Sequence, residues 1–99
     1  MALARHQIKQ LRSLAHHLEP VVIVGKAGVT ENAIEQADGY IDKHELVKCS
    51  VLDTCALSPA EAANELAEAI RAEVVQVIGR KFTLYRETTR EGVEKIKLD

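Results

Sequence analysis

The clearest chemical possibility in this 99-residue chain lies in Gly25-Lys26-Ala27-Gly28, two glycines at GxxG spacing with a lysine between them. Glycine lets a backbone approach a phosphodiester closely, because no Cβ holds the anion away. Peptide N–H groups at the start of a following helix point at such an anion, and Lys26 adds charge. The chemistry is anion capture through the backbone, with little base information. The spacing is neither a Walker loop, which needs GxxxxGK and then Ser or Thr, nor a GxGxxG dinucleotide fingerprint. Taken alone, a glycine pair of this kind is most often a plain strand-to-helix turn.

Other reactive residue types are more scattered. Arg12, Arg80 and Arg86 are candidate secondary phosphate contacts, with Lys81 extending the same track, although basic residues at strand ends are common on any surface. His17, in the His16-His17 pair at a helix end, is a supporting contact that would equally serve as a cap or a surface residue. His44-Glu45 begins like a zinc-binding HExxH, yet position 48 is lysine, so the second ligand is missing and no metal site follows. No coherent nucleophile, base and orienter emerge: there is no GxSxG, Cys49 falls in a strand pattern and Ser58 has a capping task. The expectation is a protein without catalysis, cofactor or small-molecule substrate.

These residues need elements to hold them. Ile8, Leu11, Leu14, Ala15 and Leu18 recur at helical spacing, and Pro20 should stop that first helix. Val21-Val22-Ile23-Val24 is an apolar β-branched run, expected as a strand buried on both faces. After the glycine turn, Thr30 caps a second helix, with Val29 and Ile34 at the staple positions and Ala33, Ala37 and Ile41 facing inward. Leu46 to Leu52 is a second strand, with Val47, Cys49 and Val51 on one side and Lys48 and Ser50 on a wetter one. Ser58-Pro59-Ala60-Glu61 is a capping box with proline at the first helical position, opening a third helix whose buried stripe runs through Ala62, Ala63, Leu66, Ala67, Ile70 and Val74. Val75–Ile78 and Lys81–Tyr85 form a hairpin about Gly79-Arg80. The expected fold is a single two-layer α/β (α+β) domain, α-β-α-β-α-β-β. Helical crossovers pair its first three strands in parallel, and the last strand of the mixed four-stranded sheet is antiparallel. Its core runs from about residue 8 to 86, and residues 87–99 form a loose polar tail.

The composition, 46% apolar and 28% charged, is that of a globular chain, and the length is enough for one core. No signal-peptide or membrane-spanning run appears and two cysteines lack a metal or disulfide pattern, so a cytoplasmic location with reduced thiols is expected. The net charge of −2 is modest for a phosphate binder, but it is unevenly spread. Residues 1–29 sum to +3, residues 30–74 to −7 and residues 75–99 to +2. One positive face would exist if the two ends met in space.

Four ordered blocks carry a family resemblance. They are Leu14 to Val22, the Gly25–Gly28 loop with Val29-Thr30, His44 to Lys48, and Val77-Ile78-Gly79 leading into Leu84-Tyr85-Arg86. Together they resemble the CRM domain, the chloroplast RNA splicing and ribosome maturation family, in its stand-alone bacterial YhbY-like form. The resemblance implies a fold like the C-terminal domain of translation initiation factor three. It also implies RNA contact through the GxxG loop and association with ribosomal RNA in precursors of the large ribosomal subunit. A monomer is expected, though the residues leave the oligomeric state open. The competing reading is a protein adaptor that uses the acidic middle of the chain. The poverty of aromatics, Tyr40, Phe82 and Tyr85 alone, argues against a stacking platform of the RRM kind.

Overall fold

The computed structural model describes residues 3–93 and 95–98 and arranges seven elements in the expected order: α1 (Arg5–Ala15), β1 (Val22–Val24), α2 (Glu31–His44), β2 (Leu46–Val51), α3 (Pro59–Ile70), β3 (Glu73–Ile78) and β4 (Lys81–Tyr85). Local chemistry sets their ends. The Thr30 side chain accepts from the Ala33 N–H, and Ser58 and Glu61 satisfy one another's backbone groups. α2 and α3 stop at Glu45 and Arg71, which take left-handed φ values of 63° and 58°. α1 ends at Ala15, before the periodicity runs out at Leu18, because the His17 and Leu18 N–H groups bond back to the carbonyls of Leu14 and Ala15 in a tighter turn. Val74, placed by its spacing on the stripe of α3, lies in β3 because Arg71 has already ended the helix.

The sheet order is β1-β2-β4-β3. β1 and β2 pair in parallel, and β4 is antiparallel to both of its neighbours. β3 therefore runs in the same direction as β1 and β2, but it does not pair with β2 as the crossover argument implied. β4 is inserted between them. The reason is burial: Phe82, Thr83, Leu84 and Tyr85 are all buried, which demands an interior strand, while β3 ends in the exposed Val77 and Ile78.

Val22, Val24, Val47, Cys49, Val51, Phe82 and Leu84 turn one face of the sheet toward Ala33, Ala37 and Ile41 of α2 and Ala62, Ala63, Leu66, Ala67 and Ile70 of α3. This is the main core. The other face is covered in part by α1, whose Leu11 packs on Leu46, Val75 and Tyr85. α1 lies over β2, β4 and β3. Edge strand β1 is consequently not buried on both faces: Ile23, opposite Ser50 on the α1 side, is 62% exposed.

Described residues of the polar segment after β4 are tied back to the domain. Thr88 is buried, and its N–H and that of Ile96 donate to the two carboxylate oxygens of the buried Glu45 at 2.7 and 2.6 Å. Ile96 and Leu98 pack against the α1 cluster. A buried carboxylate is tolerated only when hydrogen-bonded, and the returning chain supplies those bonds.

Candidate nucleic-acid interface

β1 delivers the chain to the end of the sheet at Val24, and the loop turns there in one step. The Gly28 N–H donates to the Gly25 carbonyl at 2.9 Å, closing a four-residue turn with Lys26 and Ala27 exposed at its tip. Among the described non-glycine residues only Glu45 and Arg71 have positive φ, so both central positions of this turn have the backbone sign of a type I turn. Gly28 follows with φ of 76°, a conformation that disfavours any side chain. Gly25 has no such φ. A Cβ there would meet the Leu52 side chain at 3.5 Å, an ordinary contact, so the packing inside the domain does not demand glycine at this position. On the α3 side, Lys26, Ala27 and Gly28 border a shallow cleft of about 300 Å³ with Ala56, Leu57 and Glu65.

The structure separates the arginines that the sequence grouped. Arg80 sits in the β3–β4 turn at the same end of the sheet as the glycine loop. Its Nε and Nη2 donate to the carbonyls of Val51 and Leu52 at 2.9 and 2.6 Å. Leu52 in turn donates its N–H to Val24, so the guanidinium is fixed beside the loop through the end of β2. Arg12 projects from α1 with Nε donating to the Val75 carbonyl at 3.2 Å. His17 is exposed in the turn after α1. Arg86 lies at the far end of β4. There its Nη1 bonds Asp38 at 2.6 Å and the Ile70 carbonyl at 2.7 Å, with Asp42 nearby. It ties α2 to the end of α3, and the structure does not bring it to the loop.

Packing of α1 on β3 and β4 brings parts of the two basic segments into contact, although Arg86 and Arg90 turn instead to Asp38 and Asp42 of α2 and Lys95 to Glu87. The acidic middle forms the opposite layer, with Glu31, Glu35 and Asp38 exposed on α2 and Glu61, Glu65 and Glu68 on α3. Between α1 and the loop, His16, Lys48 and Lys81 gather with Gln76, Ile78 and Thr83 around a small pocket of about 120 Å³. Lys48 donates its Nζ to the Ala15 carbonyl at 3.1 Å, completing the end of α1. His16 and Lys48 were absent from the sequence-derived site. The alternation of β2 showed that Lys48 faced away from the core, but not that α1 ended over it.

Burial pushes the Cys49 thiol up to about 12, and both cysteines are free and buried. Burial, then the charges of Glu45 and Glu87, raise the Tyr85 phenol. Ser58 caps α3. Among the described residues no three His, Cys, Asp or Glu side chains converge as a metal site, and no helix is long and apolar enough to cross a membrane.

The model of the CRS1 / YhbY (CRM) domain matches residues 3–86. The chain belongs to the CRM domain family. This CRM domain is 42% identical over 82 residues to the Bacillus subtilis protein named "Probable RNA-binding protein YqeI", covering 83% of this chain and 85% of that protein. It is 32% identical over 92 residues to a Haemophilus influenzae protein named "RNA-binding protein", covering 93% of each. It is also similar to the solution structure of a Staphylococcus aureus protein, with a TM-score of 0.78 at 40% identity over 96% of this chain and 100% of that one.

Proposed function

We propose that this CRM-domain protein is a non-catalytic RNA-binding protein. It grips the backbone of ribosomal RNA with the Gly25–Gly28 turn and serves assembly or maturation of the large ribosomal subunit in the cytoplasm. The observation that carries the reading is the set of cations at the glycine-turn end of the sheet, with Arg80 held on the Val51 and Leu52 carbonyls and with His16, Lys48 and Lys81 around one pocket on the outer face. Lys26 stands at the exposed tip of that turn, with Arg80 fastened behind it. The names of the relatives support RNA as the ligand. The family resemblance supports the ribosomal context.

The acidic layer of α2 and α3 favours one alternative, a protein adaptor. Sedimentation of tagged protein from lysate on a sucrose gradient separates the two. Migration with free large-subunit or precursor particles, abolished by ribonuclease or by high salt, is the expected result. A protein that stays at the top of the gradient at low salt, or whose complex survives ribonuclease, would reject the ribosomal reading.

A further inference from the structure

The outer face of the sheet is built of rows that cross the strands. One row, Leu46 and Tyr85 with Val75, is sealed by Leu11 of α1. The next, Lys48, Thr83 and Gln76, lies at the end of that helix. The last, Ile23, Ser50, Lys81 and Ile78, lies beyond α1, which stops at Ala15. Ile23 and Ile78 are 62% and 57% exposed, and Leu52, whose side chain borders Gly25, is 45% exposed. Ile23 and Ile78 stand at opposite edges of this row with Ser50 and Lys81 between them, so the open surface alternates apolar and polar contacts. Lys81 lies within the row, His16 borders the pocket beside Ile78, and Arg80 is held on the carbonyls of Val51 and Leu52.

We propose that this open row is a second contact surface for the RNA held by the glycine turn, receiving unpaired nucleotides against Ile23, Ile78 and Leu52 while Lys81 neutralises a phosphate between them. The inference rests on the RNA-binding reading and deepens it. Charge selects the occupant and the direction. The cleft on the α3 side of the turn sets Glu65 against Lys26, whereas the pocket on the sheet side is lined by Lys48, Lys81 and His16 with no acid. A polyanion leaving the turn is therefore directed across the row. Three interstrand spacings of about 4.8 Å make the row on the order of 14 Å wide. Phe82 points into the core and Tyr85 lies under α1, so the contacts are aliphatic and carry little base discrimination.

The test uses the full chain, a labelled RNA hairpin with an unpaired loop, and a fully paired duplex of equal length, titrated at several salt concentrations. Ile23→Thr combined with Ile78→Thr keeps β-branched residues at two exposed positions and should leave unfolding in urea unchanged. The double variant is expected to lose about tenfold in affinity for the hairpin and little for the duplex, with the salt slope unchanged because no phosphate contact is removed. Lys81→Ala should instead flatten the slope by about one unit. Wild-type affinity for the hairpin in the folded double variant would overturn the proposal. So would normal hairpin affinity with loss of particle association, which would assign the row to a protein partner. If Lys26→Ala weakens RNA binding while the double variant does not, only this inference falls. Failure of the wild-type chain to bind either RNA would sink the RNA-binding reading with it.

Discussion

The Nε of Arg12 donates to the carbonyl oxygen of Val75 at 3.2 Å, joining residues 63 positions apart and fastening α1 to β3. Through this contact and the packing of Leu11 on Val75, α1 is held over the outer face of the sheet, with its last residue, Ala15, accepting from Lys48.

The two glycines of the turn should respond differently to alanine. At Gly28, with φ of 76°, Gly28→Ala should cost about 1 kcal/mol in urea unfolding. At Gly25 the added methyl meets Leu52 at an ordinary 3.5 Å, so Gly25→Ala should shift stability by less than about 0.5 kcal/mol. Its effect should fall on RNA affinity, read by titration. Unchanged affinity in folded Gly25→Ala would remove the argument for close backbone approach at that position.

Lys26 and Arg86 separate ligand charge from structural charge. Lys26→Ala should leave unfolding unchanged and lower the slope of log affinity against log salt by about one unit. Arg86→Ala breaks the bonds to Asp38 and Ile70 in a half-buried setting, and should cost about 2 kcal/mol of stability while leaving the slope intact. A slope change with Arg86→Ala at full stability would place RNA at the far end of β4.

The capping box of α3 gives a pH dependence. Bonds from the Ser58 backbone and side chain hold the Glu61 carboxyl below the ordinary glutamate value of 4.5. A carboxylate held low in the folded chain adds stability above that ordinary value, and the contribution disappears as pH falls through the folded value. Ser58→Ala should cost about 1 kcal/mol near neutral pH through loss of the cap. The cost should shrink below pH 4.5. Urea unfolding of both proteins across this range checks the direction, and a cost that grows with acidity would contradict it.

Glu45 clasps the segment after β4 with both carboxylate oxygens. Glu45→Gln replaces one acceptor by a donor, so either the Thr88 or the Ile96 N–H loses its bond at a buried site, costing about 1–3 kcal/mol. Limited proteolysis should then cut first between residues 87 and 98 while the remainder of the domain persists. Equal protease resistance in wild type and variant would show that the clasp does not hold the segment.

Much of this protein was legible before any coordinates. Thr30, and Ser58 with Glu61, mark helix starts by bonds that span three residues, and the alternation along Leu46–Val51 assigns Val47, Cys49 and Val51 to the core. The glycine turn was equally visible, since its hydrogen bond joins residues 25 and 28. Such features depend on neighbours along the chain, and residue type suffices to read them. Only the tertiary structure placed β4 between β2 and β3, brought Arg80 beside the loop while taking Arg86 to the opposite end, and folded Thr88 and Ile96 back onto Glu45. Those outcomes depend on which buried surfaces and polar groups find partners dozens of residues away. Position along the chain does not determine that choice until the sheet has closed.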